Sequence, residues 1–413
     1  MKLKQIFIIL IFTFLIVINT EVTATDLTSD IDLYSTAVVA IDANSELIFY
    51  EKNKDKKMYP ASTTKILTSI IIIENCNLEE KIIISESSIS SIPEGYQIAN
   101  LVAGEEISIK DLLTIFLVYS ANDCGYVLAD YYAGSIEAFS ETMNQTAEKI
   151  GCKNSHFVNP SGIHNINHYS TAYDLSLIAK YCMKNDIFKS IVSMPKCTIS
   201  ATNKSEIREY SNTNELLNKN SKFYIEDCLG IKTGYTKDSG NCLISCFSKN
   251  NIETICVVLG APNIDNSYSS RFVDSINLYN FIYSNYSYKT ILNKNDIIKT
   301  IEIKNASPKN KDLILVAEKD INVLLKSDLT IPEPIVEIKD NITAPIKKNT
   351  ILGSISYKID DNIYTCNLVS ANYIEQNNFN IYILIIVSII VAFAIILIFL
   401  YFKINRKKYY TDI

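Results

Sequence analysis

Ser62 and Lys65 stand three apart in the run Ser62-Thr63-Thr64-Lys65. On a helix that spacing puts them one turn apart on one face. A serine hydroxyl is a weak nucleophile until a neighbouring base takes its proton. A lysine amine serves as that base when it is neutral, which requires surroundings that lower its pKa. A helix N-terminus under the serine would add N–H groups and a positive end to stabilise an oxyanion. Alone, Ser-x-x-Lys is common on ordinary helix surfaces. Two further triplets narrow the reading. Ser120-Ala121-Asn122 offers a hydroxyl and an amide. Lys232-Thr233-Gly234 offers a cation, a hydroxyl and a position without a side chain where substrate backbone could approach. Singly, each reads as a polar loop or a solvated strand face. Together, and in this order, the three describe the site of a serine acyltransferase with lysine as base.

Periodicity identifies the elements that must position these groups. Pro60 and Ala61 precede Ser62 where helices usually begin. Ile66, Leu67, Ile70, Ile71 and Ile73 follow with the spacing of a buried helix. Residues 36–42 and 47–51 read as a hairpin. Ser108 with Asp111 reads as a capping box opening an apolar helix over 112–118, which runs into Ser120 at a helix junction. One helix then continues to Gly134, and another covers 135–150 with Gly151 as its stop. Thr171 with Asp174 caps a further helix through Leu175, Ile178 and Cys182. From Cys228 the period changes to strands at 229–236, 242–248 and 253–259, followed by a helix over 269–286. The expectation is an α+β domain over residues 25–287, an antiparallel sheet flanked by helices, with early and late strands in one sheet. Strand-like pieces at 297–303, 313–317, 335–338, 351–357 and 362–368 predict a small sandwich-like all-β module over 288–372. It carries no cluster of catalytic residue types and reads as a spacer.

The chain of 413 residues has room for two to three domains. Its net charge of −6 and the lack of a basic run in the folded part argue against a nucleic-acid partner. Residues 1–24 combine Lys2 and Lys4, an apolar stretch and a Val22-Thr23-Ala24 ending, the pattern of a cleaved signal peptide. Residues 381–402 are uncharged and long enough to cross a bilayer. Lys403, Arg406, Lys407 and Lys408 follow, so the tail at 403–413 is expected in the cytoplasm and everything before the span outside. The chain reads as a single-pass protein of the cell membrane with an extracytoplasmic body. Its ten cysteines form no Cys-x-x-Cys pair; most read as small apolar residues, with a bridge left open. His164 and His168 have i, i+4 spacing, but in an Asn-rich stretch that reads as loop, with no glutamate to complete a zinc motif. No metal and no cofactor are expected. Tyr119 and Tyr235 are the tyrosines expected to line a cleft.

On these motifs the sequence resembles the D-alanyl-D-alanine carboxypeptidases, low-molecular-mass penicillin-binding proteins of the type-5 kind. The resemblance runs through Pro60 to Lys65, Ser120-Ala121-Asn122-Asp123, His168 to Asp174, Asn212-Thr213-Asn214 and Lys232 to Thr236. It extends to Thr343-Ala344-Pro345-Ile346 and Gly353, which are similar to the family's C-terminal β-domain. Two departures stand out: Cys124 in place of a small alanine, and a full span in place of an amphipathic anchor. The resemblance implies a β-lactamase/transpeptidase-like fold and a peptidoglycan stem peptide as substrate. Ser62 would attack the penultimate D-Ala carbonyl, Lys65 would take its proton, and Ser120 would relay a proton to the leaving amine. Asn122 would hold the substrate backbone, Lys232 and Thr233 the terminal carboxylate, with Gly234 beside them. The N–H groups of Ser62 and Tyr235 would form the oxyanion hole. β-Lactams would acylate Ser62. Lys232 is further expected to help keep Lys65 neutral by repulsion. A class A β-lactamase is the nearest alternative, but it needs a Glu-x-x-Leu-Asn stretch, and Glu215-Leu216-Leu217-Asn218 has the wrong spacing. A membrane-bound β-lactam sensor is the other alternative, with too short a tail for an output domain.

Overall fold

The computed structural model describes residues 31–411 except 46, 91, 265–268 and 360–361, with side chains as far as Lys403 apart from Asn380. The signal peptide expected at 1–24 lies outside the described residues. The chain divides into two compact units, Met1–Ser284 and Asn285–Ile413.

In the first unit, β1 (Ala37–Asp42) and β2 (Ile48–Lys52) form the expected hairpin. A 3-10 turn, Ala61–Thr64, leads directly into α1 (Lys65–Asn75). Then come β3 (Lys81–Ile83), α2 (Glu86–Ser90), β4 (Glu106–Ser108), α3 (Ile109–Val118), α4 (Asn122–Ala133) and α5 (Ile136–Ile150). Next follow α6 (Ala172–Met183), α7 (Asp186–Val192), β5 (Lys196–Ile199) and β6 (Arg208–Ser211). The unit closes with β7 (Cys228–Thr236), β8 (Gly240–Lys249), β9 (Ile252–Ala261) and α8 (Ser270–Asn285). Early and late strands share one antiparallel sheet in the order β2-β1-β9-β8-β7. The site-bearing strand β7 is therefore an edge.

Helix α1 explains why the sheet and the helical layer stay together. Ile66, Leu67, Ile70, Ile71 and Ile72 are all buried, as are Thr68 and Ser69, so the helix is buried around its whole circumference and runs through the core. It packs against α3, α4, α5 and α6, while α6 packs on β1 and β9. Truncating one of these isoleucines to alanine would cost about 2–5 kcal/mol. The caps read from sequence are present: Ser108 Oγ accepts from the Asp111 N–H at 3.0 Å, and Thr171 Oγ1 from the Asp174 N–H at 3.0 Å. Two small two-stranded sheets, β3–β4 and β5–β6, were not expected. Strands of three or four residues carry too little alternation to show in a sequence.

The second unit opens with β10 (Tyr286–Leu292), β11 (Ile297–Glu302), β12 (Asp312–Ala317) and β13 (Ile321–Lys326). It continues with β14 (Ile335–Ile338), β15 (Ile351–Ile359) and β16 (Asn362–Ser370). Five of these strands form the sheet β11-β12-β16-β15-β14, and β10 pairs with β13. Leu313, Leu315, Ala317, Ile355 and Leu368 form its core. Helix α9 (Phe379–Thr411) follows. Within it Ile381–Lys403 is long and apolar enough to cross a membrane, and none of that stretch is buried.

Candidate active site

Ser62 does not sit in an α-helix. It lies in the 3-10 turn, and the α-helix begins at Lys65. A 3-10 turn has three residues per turn, so side chains three apart eclipse each other. The Ser62–Lys65 spacing therefore works better in this geometry than in the α-helix expected for it. Lys65 Nζ stands 3.0 Å from Ser62 Oγ. It also donates to Asn122 Oδ1 at 2.8 Å and to the Ser161 carbonyl at 2.8 Å.

Both of those partners are oxygens that only accept, so each takes one N–H of the amine. The third tetrahedral direction faces Ser62. In an ammonium it holds a proton; in a neutral amine it holds the lone pair. The amide orientation of Asn122 is fixed independently, because its Nδ2 donates to the Gln97 carbonyl at 2.8 Å. Its oxygen must then face Lys65. Asn122 was expected to hold substrate backbone; in this structure its side chain is committed first to aiming the lysine.

Lys65 is fully buried beside the Phe116 ring, whose centroid is 5.2 Å from Nζ. Burial lowers its pKa well below the usual lysine range, and the neighbouring Lys232 lowers it further. Loss of solvation therefore outweighs the cation–cation repulsion anticipated from sequence. Lys232 is itself 1% exposed, and burial followed by the Arg271 guanidinium lowers its pKa to about 7.

Strand β7 brings Lys232, Thr233 and Gly234 against the Ser62 turn. A Cβ at Gly234 would lie 3.0 Å from the Pro60 carbonyl oxygen and 3.1 Å from the Ser62 nitrogen. Sequence reading reserved that space for substrate; the structure fills it with the nucleophile's own backbone. Gly162, at φ +78°, plays a matching part on the other side. Its Cβ would fall 1.8 Å from the Ala61 carbonyl oxygen, so only glycine lets the loop carrying Ser161 reach Lys65.

A cleft of about 500 Å³ opens over these groups. Ser62, Ser120, Asn122, Thr233, Gly234 and Tyr235 line it, and Lys65 and Lys232 lie buried behind. Ser120 holds a left-handed φ of 70° at the junction of α3 and α4. All eight residues singled out in the sequence thus gather at one place. Tyr119 does not: its ring packs on Tyr210 at 4.7 Å between centroids, outside the cleft lining.

Several residues given no role from sequence also contribute. Thr213 and Arg271 line the cleft. The Thr213 hydroxyl is hydrogen-bonded to the Thr233 hydroxyl, and Arg271 Nη1 donates to the Gly234 carbonyl at 3.1 Å. The buried Asp123 carboxylate accepts from the Ala99 N–H at 2.9 Å and the Leu101 N–H at 3.2 Å, which holds Gln97 over Asn122. His168 is buried and neutral, its pKa lowered to about 3 chiefly by burial. Its Nδ1 accepts from the Val158 N–H at 3.2 Å, so its Nε2–H donates to Thr64 Oγ1 at 2.8 Å. Both ring nitrogens are thereby occupied. The ten cysteines are free thiols. Burial pushes the Cys124 thiol well up, which makes it an inert apolar neighbour of Lys65. These contributors are scattered singles, and the signal each leaves in sequence is one polar residue among many.

Comparison with known proteins identifies the family. The profile described as D-alanyl-D-alanine carboxypeptidase matches residues 21–263, and that of penicillin-binding protein 5, C-terminal domain, matches 286–376. The D-alanyl-D-alanine carboxypeptidase DacF of Bacillus subtilis strain 168 is 31% identical over 360 residues, covering 83% of this chain and 86% of that protein. The crystal structure of the D-alanyl-D-alanine carboxypeptidase DacD from Francisella tularensis superposes with a TM-score of 0.63 at 26% identity, covering 84% of this chain and 95% of that one. Penicillin-binding protein 5 from Haemophilus influenzae gives 0.62 at 25% identity, over 84% and 99%. This chain belongs to the D-alanyl-D-alanine carboxypeptidase family.

Proposed function

We propose that the cleft is the acyl-enzyme site of a serine-type D-Ala-D-Ala carboxypeptidase acting on peptidoglycan stem peptides. The observation that carries this reading is the buried Lys65 amine, aimed at Ser62 Oγ by two oxygens that can only accept. With its pKa lowered by burial, Lys65 has a lone pair for the Ser62 proton. Ser62 Oγ then bonds to the carbonyl carbon of the penultimate D-Ala, and its proton passes to Lys65 Nζ. The N–H groups of Ser62 and Tyr235 receive the oxyanion, each donor being worth about 3 kcal/mol by general experience with such holes. As the C–N bond breaks, Ser120 relays the proton from Lys65 Nζ to the departing D-Ala amine, so Lys65 is neutral again and the Ser120 hydroxyl is unchanged. Water attacks the ester, releases the shortened peptide and restores Ser62.

Lys232, Thr233 and Arg271 supply the positive, donor-rich end of the cleft that a terminal carboxylate requires. A bound carboxylate would also favour the protonated form of Lys232. β-Lactams, which present a carboxylate and a strained carbonyl in similar relation, would acylate Ser62. We assign residues 25–287 to this activity and 288–372 to the β-module. Residues 381–402 are assigned to a single span with the body on the extracytoplasmic side.

Mass spectrometry tests the reading. A pentapeptide ending in D-Ala-D-Ala should lose one alanine, and penicillin should leave a slowly hydrolysed adduct on Ser62. Rapid penicillin turnover without peptide cleavage would instead identify a β-lactamase. A stable adduct without peptide cleavage would identify a sensor.

A further inference from the structure

The junction between the β-module and α9 has almost no slack. The Asn377 N–H still donates to the Asn305 carbonyl at 2.9 Å, and the Ser307 N–H to the Glu375 carbonyl at 2.8 Å. Ile374 and Ile346 exchange a pair of backbone hydrogen bonds at 2.9 and 3.0 Å. Asn305 ties the same clamp to Ala344 through both its amide atoms, at 2.9 and 3.2 Å. The helix begins at Phe379, whose N–H donates to Asn377 Oδ1 at 3.0 Å. The apolar stretch begins at Ile381.

From Asn377 to Ile381 is four residues, two steps before the helix begins and two at the helical rise, at most about 10 Å in all. The headgroup layer on each side of a bilayer is about 5–7 Å thick. If the helix spans, as proposed above, the last clamped residue lies at the headgroup layer, within it or at its outer edge. Asn305 is bonded directly to Asn377, and Ser307 and Ile346 are bonded two and three residues before it, at Glu375 and Ile374.

Those turns are basic. Lys304 and Lys309 flank Asn305 and Ser307, and Lys347 and Lys348 follow Ile346. All four are exposed. Against them the clamp segments 304–310, 344–348 and 373–378 hold one acid, Glu375. Lys311, nearby, is already paired with Glu302 at 2.9 Å. Among the described residues none of the four ammonium groups has an ion pair. We propose that Lys304, Lys309, Lys347 and Lys348 form a docking surface for anionic phospholipid headgroups, which seats the β-module directly on the bilayer. The occupant is argued from charge and from the tether: the same few residues that clamp the helix carry the lysines, so a lipid surface is held against them.

The test uses the full chain reconstituted in lipid nanodiscs of phosphatidylcholine alone or mixed with phosphatidylglycerol. Lysine acetylation is followed residue by residue by mass spectrometry. An anionic surface at about −30 to −50 mV concentrates protons, so the reactive neutral amine becomes about three- to sevenfold rarer. The four lysines should react that much more slowly in the anionic discs. Lys319, at the far end of β12 from the clamp, should react equally in both. The difference should vanish at ~1 M salt, where the screening length falls to about 3 Å. Equal rates in the two discs, with the chain incorporated, would overturn the proposal alone. A chain that co-elutes with neither disc would refute the span on which the proposal rests.

Discussion

Replacing Asn122 by aspartate changes one atom type and little volume, yet it should shift the pH dependence of the whole reaction. The new carboxylate oxygen would stand where Asn122 Oδ1 stands, 2.8 Å from Lys65 Nζ. At an effective dielectric constant of ~20, a unit charge at that 2.8 Å separation attracts the ammonium by about 6 kcal/mol. Much of that is offset. A buried carboxylate loses several kcal/mol of solvation, and its second oxygen would face the Gln97 carbonyl that now receives an N–H. A net of about 1.4–3 kcal/mol in favour of protonated Lys65 remains, within the range usual for a close opposite charge. The sign follows directly. A stabilised ammonium leaves fewer molecules with the neutral base, so the pH midpoint of acylation should move up by about one to two units, and below the wild-type midpoint the rate should fall roughly ten- to hundredfold. It should recover as pH rises through the raised pKa. The assay is the second-order rate of Ser62 labelling by a fluorescent penicillin between about pH 6 and about pH 10. Asn122→Ala is the control: it loses the aim of the amine without adding charge, so its rate drops with no upward move of the midpoint. An Asn122→Asp enzyme that is slow at every pH, with the wild-type midpoint, would refute the claim that this oxygen governs the base.

Lys232→Met should move the same midpoint up by less than Asn122→Asp does, because burial is the larger cause of the Lys65 shift and Lys232 the smaller. The same variant tests stability: Lys232 is lowered to about 7 in the fold, so the unfolded chain binds more protons above that pH. Wild type should therefore gain about 2–3 kcal/mol relative to Lys232→Met between pH ~7 and pH ~9, read as the difference between their urea unfolding curves. Thr213→Val removes the partner of the Thr233 hydroxyl without changing shape. It should raise KM for the D-Ala-D-Ala peptide about fivefold, the value of one hydrogen bond, with kcat and Tm nearly unchanged; a loss of Tm would mark Thr213 as merely structural. Gly234→Ala places a methyl 3.0 Å from the Pro60 oxygen and 3.1 Å from the Ser62 nitrogen. It should destabilise by about 1–3 kcal/mol and slow penicillin acylation, whereas unchanged labelling would show that the turn yields freely.

What could be read in advance, and what could not, separates along a physical line. The Ser62, Ser120 and Lys232 motifs were legible because each packs several chemically unusual types into adjacent positions, and the elements beneath them follow strong periods. Helix α1 is the clearest instance, since its run of isoleucines admits little but a buried helix. The contacts that make the motifs work were not legible, because they are single residues brought from far along the chain. Ser161 reaches Lys65 through a backbone carbonyl, which every residue possesses, so its type carries no hint of the role. What permits the approach is the empty space at Gly162, and a glycine in a turn looks the same whether it serves the turn or a neighbour 1.8 Å from its absent Cβ. Gly234 shows the same ambiguity from the other side: reserved for substrate on paper, it is taken up by the Ser62 turn in space. Asp123 stands in the first turn of α4 and yet is buried, with its carboxylate spent on the Ala99 and Leu101 amides. The lysine's lowered pKa depends on all of these at once. Burial is a property of the assembled shell, so the neutral base that the motif requires exists only after the loops carrying Gln97 and Ser161 have closed around it.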